Sequence, residues 1–235
     1  MNEYQNAPWI SASTEQTAMR ERAFIRSVYG WMFGGLLLTA LASMFVLRSP
    51  AIQQLLLTRR WPLLFLGIGE LGLVVVLSAA LRRLSPVAAA GLFLLFAALN
   101  GLTISWIFFA FTAQSIVQAF VVAAGMFGGM SVYGLVTRRD LTSWGSFFFM
   151  GLLGVILLSI VNIFVHSSAL SFVVSVVGIF VFVGLTAYDT QKLKAFATVS
   201  GPMQDKLAIH GALSLYLDFI NLFLMLLQLF GNRRR

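Results

Sequence analysis

The chain has 235 residues, 59% of them hydrophobic and only 10% charged, with a net charge of +8. Such a balance cannot cover a water-facing surface, which excludes a soluble domain and points to a protein that crosses a membrane several times. With no cysteine and only two histidines, disulfides, thiolate metal sites, Cys nucleophiles and a His-based zinc site are also excluded.

Residues 1–26 are polar and mixed in charge, without an apolar core or a small-residue cleavage site, and are expected to form a cytosolic tail. Ser11 to Arg26 suits a short interfacial helix. Seven apolar runs follow, at about 27–47, 61–81, 86–110, 114–136, 143–165, 169–191 and 209–230. They are continuously apolar rather than alternating, so they are transmembrane helices and not barrel strands. The expected domains are thus the tail, a seven-helix domain over 27–230 and a short basic tail over 231–235. Pro62 and Pro86 fall in the first turns of the second and third runs, where a missing amide hydrogen costs nothing. Gly30 with Gly34, and Gly125 with Gly129, have the four-residue spacing of close helix packing. The connection between the last two runs, Phe196 to Lys206, is fairly long.

The Lys and Arg residues sit between the runs, as topology signals do, rather than on a folded basic face, so no nucleic-acid partner is expected. With the N-terminus inside, ten of the sixteen lie inside: Arg20, Arg22, Arg26, Arg82, Arg83, Arg138, Arg139, Lys192, Lys194 and Lys206. Arg48, Arg59, Arg60 and Arg233 to Arg235 lie outside. The majority favours a cytoplasmic N-terminus and, with seven spans, an external C-terminus. The RRR tail argues the other way.

Three acids fall within spans: Glu70, Asp189 and Asp218. A charge at the bilayer centre costs several kcal/mol, so each must face protein, water or a partner. Asp218 lies deep in LSLYLDFINLFLMLL, with Ser214 and Asn221 on its helical face. It either faces an ion path or glues two helices by a hydrogen bond. Asp189 ends the sixth run, in GLTAYDTQKLK, where an i,i+3 pair with Lys192 is the simpler reading. The two helices follow each other, so the carboxylates are expected near one another. A close pair cannot ionise twice cheaply and tends to share a proton. Deprotonated, it offers oxygen ligands to a hard divalent cation. Glu70, among Gly67, Gly69 and Gly72, suits a closely packed helix, either as a hydrogen-bonded link or on a cavity. Arg82 and Arg83 are topology anchors or a cation for the acidic pair. Asn100, Thr103, Ser105 and Asn162 are expected as interhelical links. His166 and His210 sit at span ends. There is no intramembrane Lys for a Schiff base, and no Walker or HExxH motif.

MSVYGLVTRRDLTSWGSFFFMGLLGVILLSIVNIF, VGLTAYDTQKLK and LSLYLDFINLFLMLL resemble the bacterial branch of the Bax inhibitor-1 family, from Val28 to Phe230. The resemblance implies seven helices with the last central and the other six around it. It implies a pH-sensitive calcium leak, with Asp189 and Asp218 as a di-aspartyl sensor and cation site, Arg82 or Arg83 as its latch, and the family's second-helix acid at Glu70. Asn221 supports the pair. No cofactor is implied beyond calcium as the ion moved, and the location is the bacterial inner membrane. Eukaryotic relatives act in cell-death control and in calcium handling of the endoplasmic reticulum, and one bacterial branch is linked to a membrane-bound ATP-dependent protease.

The leading expectation is therefore a non-enzymatic cation channel or exchanger whose partners are the bilayer, calcium and protons. The alternative is a non-conducting regulator of a membrane protease or another membrane protein. A remote third is an intramembrane aspartyl protease, since Tyr188-Asp189 matches its YD element and two aspartates sharing a proton are its chemistry. Its second motif, GxGD, is replaced here by Leu215-Tyr216-Leu217-Asp218.

Overall fold

A backbone without water to bond must satisfy itself within each segment, and this chain does so with helices. A computed structural model describes residues 8–58 and 60–234. Expectations for Arg59 and Arg235 lie outside the described residues, as does the part of the 1–26 tail ahead of Pro8. The helices are α1 (Pro8–Arg48), α2 (Pro50–Thr58), α3 (Arg60–Ala79), α4 (Pro86–Ile104), α5 (Ile107–Ala110), α6 (Ala113–Val136), α7 (Thr142–Val165), α8 (Ser168–Ala197) and α9 (Pro202–Phe230). Among the described residues, seven stretches are long and apolar enough to cross a bilayer, and they follow the seven expected runs.

Several boundaries differ from expectation. The segment from Ser11 to Arg26 is not a separate interfacial helix but the first half of α1, a 41-residue helix about 61 Å long. The first connection carries its own helix, α2. The connection before the last span is short: α8 continues to Ala197 and α9 starts at Pro202, so only four residues, Thr198 to Gly201, turn the chain. The signal in the sequence was the Gly201-Pro202 pair: Gly201 takes φ 79° in the turn, and Pro202 stands at the start of the next helix. The same proline logic holds at α4, where Ser85 caps the helix by accepting from Ala88 N and Pro86 opens it.

The glycine expectations are largely overturned. A Cβ added at Gly30, Gly34, Gly125, Gly129, Gly67, Gly69 or Gly72 would meet nothing within 4 Å. The close approaches lie elsewhere. Gly101 meets the Thr39 carbonyl of α1, Gly134 the Ala187 carbonyl of α8, and Gly184 the ring of Phe148. Four-residue spacing marks a smooth helical face but does not say which face turns inward.

The spans are apolar all round, so lipid covers their outer faces. Phe65, Met150 and Phe164 are largely exposed on the bundle surface. Between helices the gain comes from packing and polar links, because lipid tails are as apolar as leucine. The most buried span is α9, with Leu213, Leu215, Tyr216, Leu222 and Leu227 at 1% exposure or less. It packs against α1, α4, α6 and α8, while α3 packs on α4 and α7 on α8. At the far end, Phe111 and Arg233 form an antiparallel bridge that ties the C-terminal tail to the α5–α6 turn.

Candidate functional site

The register of α8 against α9 sets the site. Leu193 lies against Gly211 and Met225 against Gly178. Asp189 therefore falls level with Ser214, one turn and about 6 Å along the axis from Asp218. Both aspartates line one cavity of about 1060 Å³, together with Ser214 and Asn221 of α9 and Lys192 of α8. Asp218 is 4% exposed, and its Oδ2 is buried without a hydrogen-bond partner. Asp189 is half-buried. The Asn221 amide nitrogen donates to Leu217 O at 2.8 Å, which leaves its side-chain oxygen for the cavity. On α7 the lining runs from Gly145 to Ile163, about 27 Å of helix, close to the thickness of a hydrocarbon core.

The residues around Asp189 explain the local sequence. In YDTQ, the Tyr188 ring lies over Gly145 of α7 and Thr190 is fully buried beside Gly134 of α6. Gln191 accepts from Leu141 N and donates to Arg139 O, both at 2.8 Å, which clamps the α6–α7 connection onto α8. Three residues of the motif thus hold helices together, and they aim the fourth, Asp189, at the cavity.

Glu70 lines the same cavity from α3, but it is held by neighbours. Its carboxylate accepts from Asn100 Nδ2 at 2.9 Å and from Thr103 Oγ1 at 2.5 Å. The chain of bonds continues: Tyr216 Oη donates to Asn100 Oδ1 at 2.9 Å and lies 2.6 Å from Thr39 Oγ1. Thr39 also faces the carbonyls of Gly35 and Ala97 at 2.9 Å, three acceptors for one proton. One buried polar chain thus joins α3, α4, α9 and α1. It places Tyr216 and Thr39 among the residues that sequence reasoning missed. The available signal was Tyr216 itself, a hydroxyl in mid-span two positions before Asp218, which puts it on the opposite face of α9.

Arg82 and Arg83 are exposed in the turn after α3, and neither lines the cavity. The cation that does is Lys192, whose ammonium lies 5.9 Å from the Tyr188 ring and 5.5 Å from that of Phe196. Arg82 contributes its carbonyl, which accepts from the buried Lys206 at 3.2 Å and fixes the start of α9 to the α3–α4 turn. Asn162 links α7 to α8 through Ser171 and the Ser167 amide. Ser105 bonds only locally, to Leu102 O, and is not an interhelical link. His166 closes α7 in a left-handed conformation. His210 has a buried, unpartnered Nδ1. Among the described residues no three His, Cys, Asp or Glu side chains come together to hold a metal.

The comparisons with known proteins agree with one another. The family model described as inhibitor of apoptosis-promoting Bax1 matches residues 21–235. The chain is 52% identical over 217 residues to the inner membrane protein YbhL of Escherichia coli K12, covering 91% of this chain and 93% of that one. It is 43% identical over 227 residues to an uncharacterized protein of Deinococcus radiodurans, covering 96% of each. It is also 38% identical over 212 residues to an uncharacterized membrane protein of Streptococcus pyogenes, covering 89% of this chain and 92% of the relative.

Proposed function

The chain belongs to the Bax inhibitor-1 family of membrane proteins, and from that premise we propose that it is a pH-sensitive leak path for calcium in a bacterial inner membrane. The observation that carries this reading is the orphaned Asp218 carboxylate oxygen, which sits in mid-span on a cavity shared with Asp189. Calcium takes six to eight oxygen ligands. The two carboxylates, Ser214 and Asn221 supply some of them, and water supplies the rest, which suits transient rather than tight binding. With both aspartates ionised, the cavity attracts a cation. Protonation removes that attraction, so acidification releases the ion from the pair.

In this reading the N-terminus is cytoplasmic and the C-terminus external. Lys192 then stands between the pair and the cytoplasm, as a tethered cation that competes for Asp189. The experiment is calcium entry into proteoliposomes loaded with a fluorescent indicator, measured across a pH series. Asp218→Asn and Asp189→Asn are each expected to lower entry about tenfold, equivalent to ~1.4 kcal/mol of lost attraction, and to flatten its pH dependence. Wild-type entry and pH response in both variants would sink the proposal.

A second reading is regulation of a membrane protease or another membrane partner. It is favoured by α1, which at about 61 Å is twice as long as the hydrocarbon core and carries its polar half beyond it. Deleting residues 1–20 separates the two readings: calcium entry survives the deletion under the first, and the regulatory phenotype is lost under the second.

A further inference from the structure

The cavity is far larger than a bare ion needs. At about 1060 Å³ it stands at the top of the range of small-molecule sites, roughly 300–1,000 Å³. A calcium ion is held by oxygens at about 2.3–2.6 Å and would use one corner of it. The remaining lining is mostly apolar and includes the rings of Phe96, Phe149, Phe182 and Tyr188. Aromatic faces attract positive charge, most strongly when water is excluded.

The cavity also reaches the bundle surface between two helices. Among the described residues no packed interface joins α3 to α7, since α3 leans on α4 and α7 on α8. Leu71 of α3 and Met150 of α7 both line the cavity, and both are exposed at the bundle surface, at 69% and 73%. In a bilayer that surface meets lipid tails. The charge inside is acidic: three carboxyl side chains stand against the one ammonium of Lys192. Both oxygens of Glu70 already accept hydrogen bonds. Asp189 and Asp218 remain, and Asp218, 4% exposed and with a partnerless oxygen, is the more deeply buried anchor.

We propose that this cavity binds amphiphilic organic cations, in which a positive centre is carried on aromatic or aliphatic groups, and that they enter from the bilayer between α3 and α7. The proposal uses the carboxylates of the calcium reading but does not require conduction. Apolar groups of the ligand fill the volume that an inorganic ion leaves to water, and its charge lies against Asp218. Entry through the bilayer avoids the ammonium of Lys192 at the α8 end.

The test titrates tetraphenylphosphonium into the full-length protein in nanodiscs by equilibrium dialysis, with neutral triphenylphosphine oxide as competitor. Saturable binding of one cation per chain is expected, without competition from the neutral compound. Asp218→Asn should weaken binding at least about tenfold. Gly67→Phe, at a lining position where a Cβ meets nothing within 4 Å, should weaken binding at least about tenfold by obstructing the α3 side of the cavity while all three carboxylates stay in place. Should Asp218→Asn not fold, as judged by size exclusion and circular dichroism, Gly67→Phe carries the test alone. Unsaturable uptake, or equal affinity in the wild type and the folded variants, overturns the proposal. Calcium entry is measured on the same wild-type preparation. Binding without entry would refute the leak reading alone, and entry without binding would refute this one alone.

Discussion

Replacing Tyr216 by Phe removes one oxygen from the most buried helix of the bundle and nothing else. The ring remains edge-on to Phe93 and Phe96, at centroid distances of 6.0 and 5.6 Å, so packing is conserved. Two contacts go: the donor to Asn100 Oδ1 at 2.9 Å and the 2.6 Å contact with Thr39 Oγ1. Thr39 keeps the carbonyls of Gly35 and Ala97 and loses little. Asn100, 9% exposed, is left with an unpaired carbonyl oxygen while its amide stays bound to Glu70. A buried neutral group left without its bond costs about 1–3 kcal/mol. Interhelical bonds in membranes average nearer 0.6 kcal/mol and reach about 1.7. The lower end applies, because the unfolded chain in the bilayer also finds partners. The expected loss is therefore about 1–1.5 kcal/mol. It is read by reversible unfolding in mixed micelles, followed by circular dichroism. A double-mutant cycle with Asn100→Leu should show coupling of about 0.5 kcal/mol or more, since the partners share one bond. Unchanged stability of Tyr216→Phe, or additive behaviour in the cycle, would refute the claim that this polar chain joins the four helices energetically.

The remaining predictions concern helix approach and one exposed cap. Gly134→Ala drives a methyl group into the Ala187 carbonyl of α8, which cannot yield as a side chain would, and is expected to cost about 1–3 kcal/mol in the same unfolding assay. Gly125→Ala meets open space and should be neutral or stabilising by up to about 1 kcal/mol, so equal effects of the two would refute the assigned packing faces. Asp140 accepts from the Thr142 amide at 2.9 Å, and the Thr142 hydroxyl and amide together hold its carboxyl below the ordinary aspartate value of 3.8. Its contribution to the start of α7 is present above that ordinary value and is lost as the pH falls through the lowered one. Amide exchange at Thr142 should accelerate on acidification across that window, relative to the intrinsic rate, and Asp140→Ala should abolish the effect.

How far the sequence reaches is clear from particular residues. Composition and run length are enough for seven helical spans, because a bilayer permits few other ways to satisfy a backbone. Three acids in greasy segments were visible as groups that must face something, and all three line the same cavity. The boundaries that sequence reading missed share a cause. Hydropathy marks where lipid contact begins, whereas α9 starts at Pro202, before its apolar stretch, and α1 at Pro8, well ahead of its own.

What a helix turns inward was not legible. Gly125 with Gly129 and Gly134 all lie on α6, yet only Gly134 touches a neighbouring backbone. Lys192 read as a topology charge or as a partner for Asp189, and it lines the cavity, while Arg82 and Arg83 read as topology anchors or a latch, and they are exposed away from it. Tyr216 and Thr39 are 177 positions apart and meet at 2.6 Å. Those outcomes depend on the rotation and register of one helix against the next. A span that is apolar on every side carries no amphipathic stripe to announce them. The chain by itself determined that helices cross the membrane and that their acids need partners. Only side-chain packing between helices decided which faces meet, and so which of those acids share a cavity with Asp218.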